Sequence, residues 1–204
     1  LANTLLISIL ITVLHVMIAS MVAFVMCQVR NKWTGLLFAT VQFALLYNAT
    51  TLGVPQYLIF SKIHIIDTYW AYILPMLPST MGVFLIKQYM DGAVPEALIE
   101  AARIDGAGVL RIFWQIVMPL VKPSWMTLVL FIFRDSWALQ PNGTIFSEQL
   151  KTLPNIITQI TSSGIARSGS AMAATVLLMI PPVAVYMITQ SNVLETMSSA
   201  GIKE

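Results

Sequence analysis

Seven of the chain's twenty charged residues gather between Asp91 and Lys122, in the run DGAVPEALIEAARIDGAGVLRIFWQIVMPLVK. The chemistry these residues can do is recognition. Pro95 can open a helix, because its missing N–H falls among donors unpaired in any first turn. Glu96 follows where the helix dipole favours a negative charge. Ala97, Leu98, Ala101 and Ile104 share one face by i, i+3, i+4, i+7 spacing, and Glu96, Glu100 and Arg103 share another. Small side chains at Ala101 and Ala102 let a second backbone come close. Gly106 and Gly108 allow a turn. Asp105 is then expected to cap a second helix from Val109 to Met118, ended by Pro119. An apolar ridge with a charged edge suits docking into a groove. It equally suits an amphipathic loop lying on lipid headgroups. Bond-making chemistry has no comparable signal: the sequence contains no H-E-x-x-H and no G-x-S-x-G, and Ala166 precedes Arg167-Ser168 where an intramembrane serine protease would need glycine. His15 and His64 are not at metal-ligand spacing, and Cys27 has no second cysteine in the chain.

The elements that must position this loop are membrane spans. Hydrophobic residues make up 57% of the 204 residues and charged residues 10%, against roughly 25% charged in a soluble domain. Mean hydropathy is +0.80. This excludes a disordered chain, a disulfide scaffold and a nucleic-acid binder. Uncharged stretches predict spans near 5–28, 35–58, 68–88, 120–140 and 168–190, each close to the ~20 residues a crossing needs. The expected fold is therefore all-α and polytopic, a single transmembrane domain over 1–204 with five helices and a cytoplasmic loop at 91–119. Arg30, Lys32, Lys87, Arg103, Arg111, Lys122 and Lys203 fall on one side; Lys62, Lys151 and Arg167 fall on the other. The richer side is expected to be the cytoplasm, which places the C-terminus there. The chain begins with Leu1, so a preceding first helix is expected.

The spacing Glu100-Ala101-Ala102, three residues, Gly106, nine residues, Ile116-Val117-Met118-Pro119 closely resembles the EAA motif of ABC importer permeases, with Met118 in place of the usual leucine. That exchange conserves volume and apolarity. Pro95 and Arg103-Ile104-Asp105-Gly106-Ala107 look like the carbohydrate-importer branch, and Gly201-Ile202-Lys203 is similar to its closing G-x-K. Gln28 to Gly35 sits where those permeases carry a basic turn. The resemblance implies the last five of six core helices in a bacterial inner-membrane permease. It implies that Glu100, Ala101, Ala102, Asp105, Gly106, Ile116 and Pro119 couple the chain to two ATP-binding subunits. A homologous second permease would complete the pathway and an extracellular solute-binding protein would deliver a sugar. ATP and Mg would reside on the partners and no cofactor on this chain, which lacks a G-x-x-x-x-G-K-[ST] loop. The tail Ser198–Glu204 is also expected at the ATPases.

Arg134 and Asp135 are costly inside a membrane and are functional candidates by default. With Trp137, three residues after Arg134 on roughly the same side, they offer a guanidinium, an acid and a ring that suit a sugar. The competing reading is the outer end of a span, with Trp at the interface and Arg snorkelling. Family members often carry Trp-Asn here, where this chain has Trp137-Ala138. Gln42 and Asn48 either line the pathway or bond between helices. Pro55, Pro75, Pro78 and Pro181-Pro182 should kink or break their helices. Leu150 to Pro154 and the ending Ser199 to Glu204 look like permeases of plant-polysaccharide fragments, so an oligosaccharide is the expected cargo. The same architecture serves amino acids or oligopeptides, and an ATP-independent channel is the rival from another class.

Overall fold

The computed structural model describes residues 1–29, 31–46, 53–140, 143–162 and 168–201, with side chains at 168, 171 and 192–201 left out. Among the described residues there is no strand. The helices are α1 (Ala2–Gln28), α2 (Lys32–Ala44), α3 (Gly53–Lys62), α4 (Trp70–Met76), α5 (Thr80–Ala93) and α6 (Glu96–Ile104). They continue as α7 (Val109–Leu120), α8 (Lys122–Trp137), α9 (Leu153–Ser162) and α10 (Ser168–Gly201). The all-α, polytopic expectation holds.

Four of the five expected spans have helical counterparts. α1 and the Met172–Ser191 part of α10 are each long and apolar enough to cross a membrane. α4 and α5 pass that test together, bent by 42°, as do α7 and α8, bent by 80°. The expected span at 35–58 contains α2, of 13 residues, and α3, of 10. Residues 47–52 between them lie outside the described residues, as does the candidate Asn48.

Contacts divide the chain into two compact units. The first comprises Leu1–Leu14, Asn48–Pro78 and Leu130–Ile188. Its α10 carries Pro181 and Pro182 without a break. The reason lies four residues earlier. Pro182 has no N–H to give the carbonyl of Leu178, and the indole Nε1 of Trp137 donates to that oxygen at 2.8 Å instead. Trp137 is 2% exposed and stacks on Phe133 at 5.7 Å.

The second unit comprises His15–Tyr47, Ser79–Val129 and Thr189–Glu204. Its packing is tight at Gly82, where an added Cβ would come within 2.9 Å of Leu128 Cδ2 and 3.0 Å of Ala19 Cβ. Ser79, at the N-cap of α5, makes no capping bond, and its hydroxyl is hydrogen-bonded to the ring Nε2 of His15. Three other buried hydroxyls are returned to their own helices. Thr12 donates to Ser8 O in the first unit, and Ser20 donates to Val16 O in the second, both at 2.7 Å. Thr127 donates to Pro123 O at 2.8 Å. This i−4 back-bonding satisfies a polar group without a partner helix.

Candidate functional site

The loop from Asp91 to Lys122 folds as two helices joined by a glycine turn, with local corrections to the expected ends. Pro95 is the N-cap of α6, with an extended ψ of 135°, and the helix proper begins at Glu96. Asp105 does not cap the second helix. It is the C-cap of α6, with φ −71° and ψ 3°, and Gly108 stands at the N-cap of α7. The carboxylate at 105 falls at the wrong end because the turn consumes three further residues. The Ala107 N–H donates to Ala102 O at 2.9 Å and the Gly106 N–H to Arg103 O at 3.0 Å. These two bonds form a Schellman closure, whose C′ residue must take a left-handed conformation. Gly106 has φ +78°. The glycine four residues after Ala102 is thereby explained.

Pro119 does not end α7, which continues to Leu120. A proline removes one i→i−4 bond, and here the preceding turn has already widened: Phe113–Val117 is π-helical, and the Met118 N–H donates to Phe113 O. The chain then bends by 80° into α8. At the bend, Trp125 Nε1 donates to Met118 O at 3.0 Å. Ile116 is half-buried and Pro119 exposed.

α6 carries Glu96 in its first turn and Arg103 in its last, each complementing the helix dipole. The predicted ridge is open. Ala97 and Ala101 are exposed, Leu98 is 41% exposed and Ile104 86%. Ala102, one turn after Leu98 at the margin of the ridge, is 8% exposed. The charged edge is exposed too, and borders a cavity of its own chain. Glu96, Glu100 and Arg103 line a cavity of about 80 Å³ together with Gln28 and Phe24 of α1 and Asp91 of α5. Arg103 Nη2 donates to Gln28 Oε1. Cys27 Sγ donates to Asp91 Oδ1 at 3.4 Å, and Lys87 Nζ pairs with Asp91 Oδ2 at 2.6 Å. Phe24 and Phe113 pack at 5.4 Å between centroids, holding α7 on α1. Sequence reasoning placed Arg103 on this edge but assigned it no role. The sequence marks Gln28 only as the start of the expected basic turn and Asp91 only as the start of the loop.

The second candidate set is not brought together. Arg134 and Asp135 are exposed, whereas Trp137 is buried with its indole N–H given to Leu178. The three-residue spacing is 300° around a helix, enough to separate an exposed side chain from a buried one at this register. Gln42 is exposed on α2.

A further polar cluster ties two loops of the first unit. Asp67 has φ +59°, and its N–H donates to Thr144 O at 2.9 Å. Its carboxylate accepts from the Ser147 hydroxyl, from the Ser147 N–H at 2.9 Å and from the Phe146 N–H at 3.0 Å. The Ser147 hydroxyl first, then the two backbone N–H groups, hold the Asp67 carboxyl below the ordinary aspartate value.

Comparison with known proteins places this geometry. The chain matches the family described as binding-protein-dependent transport system inner membrane component over residues 3–198. It is 31% identical over 192 residues to the sn-glycerol-3-phosphate transport system permease protein UgpE of Yersinia enterocolitica, covering 92% of this chain and 68% of that one. It is 30% identical over 204 residues to the arabinooligosaccharides transport system permease protein AraQ of Halalkalibacterium halodurans, covering 98% and 72%. Its fold is similar to a chain of a bacterial ABC transporter that imports the acidic polysaccharide alginate, with a TM-score of 0.77 at 20% identity, covering 93% of this chain and 72% of that one. The chain belongs to the family of inner-membrane components of binding-protein-dependent transport systems.

Proposed function

We propose that this chain is the transmembrane subunit of an ATP-driven ABC importer that carries a sugar, most simply an oligosaccharide, into the cytoplasm. The observation that carries the reading is α6: an exposed ridge of Ala97, Leu98, Ala101 and Ile104 on a helix whose end is locked by Gly106. An ATP-binding subunit with an apolar groove is the partner this shape fits. The chain acts without catalysis of its own, as one permease domain over 1–204 with its coupling loop at 91–119. Glu100, Ala101, Ala102, Asp105, Gly106, Ile116 and Pro119 form the coupling element. ATP and Mg stay on two ATP-binding subunits. A second, homologous permease shares the pathway, and an extracellular binding protein delivers the solute. The membrane is the bacterial cytoplasmic membrane, with the C-terminus on the cytoplasmic side.

ATP can drive transport only through its different affinity for the inward- and outward-facing states, and α6 is where that difference reaches the permease. Arg134, Asp135 and Gln42 remain the polar pathway candidates of this reading. The oligosaccharide assignment draws support from the arabinooligosaccharide relative. A phosphorylated polyol is the second reading, favoured by the sn-glycerol-3-phosphate relative. Gentle purification from the native membrane, with mass spectrometry of what accompanies the chain, tests the assembly. Recovery of an ATP-binding subunit and a second permease is expected. Recovery of the chain alone or as a homo-oligomer would favour an ATP-independent channel. Uptake of labelled oligosaccharide against labelled glycerol phosphate in the same complex decides the cargo.

A further inference from the structure

We infer that Arg103 is a positioning residue that latches the coupling helix α6 to the end of the spanning helix α1. The inference rests on the reading of α6 as the coupling helix. α1 has 27 residues and no basic residue in its last turn. Its C-terminal carbonyls carry a partial negative charge, roughly half an elementary charge, which a cation placed beside them offsets. Gln28 is the last residue of that helix, and Arg103 Nη2 donates to its Oε1. α6 thus brings a cation to the C-terminal end of α1.

The surroundings favour a guanidinium at this place. Arg103 is the one cation among the described residues lining the cavity of about 80 Å³, whose wall also holds Asp91, Glu96 and Glu100. Arg103 is also part of the turn. Its carbonyl accepts the Gly106 N–H at 3.0 Å, so its backbone belongs to the closure that sets the shape of the loop while its side chain reaches α1. A displacement of α6 by a docked partner is passed to α1 through this residue, beside the covalent route through α5. Arginine suits the task better than lysine, because its planar fork fixes direction as well as charge.

The test uses the whole transporter, this chain with its partner subunits, reconstituted in proteoliposomes. Uptake and substrate-stimulated ATP hydrolysis are measured for Arg103→Ala, Gln28→Ala, the double variant, and the exchange of Arg103→Gln with Gln28→Arg. Each single variant is expected to lower uptake per ATP hydrolysed by about tenfold, the scale of one charge-assisted hydrogen bond. The substrate KM and co-purification of the ATP-binding subunit should stay unchanged. The double variant should be no worse than either single one, and the exchange should restore part of the loss by returning a guanidinium to the same helix end. If Arg103→Ala fails to assemble, Arg103→Lys, which keeps the charge, should assemble and couple at an intermediate level. Full coupling in Arg103→Ala, or strictly additive losses, overturns the latch and leaves the coupling role of α6 intact. Absence of any ATP-binding subunit from the unmodified complex overturns the reading on which the latch rests.

Discussion

Replacing Gly106 isolates a single physical term. Gly106 has φ +78°, and a Cβ built there would meet nothing within 4 Å. A side chain at 106 therefore costs torsional strain and no collision. For an L-residue held in the left-handed region the cost is about 1–2 kcal/mol, which lowers the population of the locked turn about 5- to 30-fold. Gly106→Ala should show that cost. Gly106→Val should exceed it, because a β-branched residue is a true outlier at positive φ. Gly106→Asn should fall below it, since asparagine visits this region routinely. Gly108 supplies the control: at φ −69° and ψ 158° it is extended backbone that any residue adopts, and serine is a favoured N-cap. Gly108→Ser should leave the loop unchanged or firmer. Hydrogen exchange at the Ala107 amide, bonded to Ala102 O at 2.9 Å, reads the turn directly. Uptake and substrate-stimulated ATP hydrolysis by the reconstituted complex read its consequence. The expected order of damage is Val, Ala, Asn, with Gly106→Val abolishing transport while the chain still inserts. Wild-type exchange and transport in Gly106→Val would refute the argument, as would Gly108→Ser proving equally harmful.

The Trp137 indole and Pro182 should be energetically coupled. Trp137→Phe strands the Leu178 carbonyl and is expected to destabilise the chain by about 1–3 kcal/mol; adding Pro182→Ala restores an N–H to that carbonyl and should recover part of the loss in a detergent melt, whereas independent effects would disprove the link. Gly82→Ala should cost about 1–3 kcal/mol by overpacking, because Leu128 and Ala19 stand 2.9 and 3.0 Å from the added carbon and Ser79 is nearer still; an unchanged melting temperature would count against this packing. The Asp67 clamp has a pH signature. Its carboxyl lies below the ordinary value of 3.8 in the folded chain, so its contribution is fully present above that value and is lost as pH falls through the lower folded value. Protection of the Phe146 and Ser147 amides, relative to their intrinsic exchange rates, should persist from neutrality down to that window and fall below it, and Asp67→Ala should remove it at every pH.

Composition alone was enough to read a polytopic, all-helical chain, because a helix that crosses lipid must be apolar for about 20 residues whatever surrounds it. The spacing from Glu100 to Pro119 was enough to place the loop, since a Schellman turn is local: Ala102, Arg103, Gly106 and Ala107 close it among themselves. The exposed ridge on α6 followed from periodicity for the same reason. Helix ends were less legible. Asp105 has the side chain of an N-cap and stands at a C-cap, because the turn's length, set by hydrogen bonds three and five residues back, outweighed the preference of one residue. Pro119 was read as a stop and is absorbed by a π-helical turn that no residue type announces. Spacing also placed Trp137 beside Arg134. Burial decided otherwise, because the carbonyl that Pro182 leaves open needed a donor from another helix. The same division separates the two faces of α6. That it has an apolar ridge and a charged edge is a property of its sequence. That the charged edge borders a cavity of its own chain, with Arg103 bonded to the last residue of α1, was decided by the fold, since only packing brings together two side chains 75 residues apart in the chain.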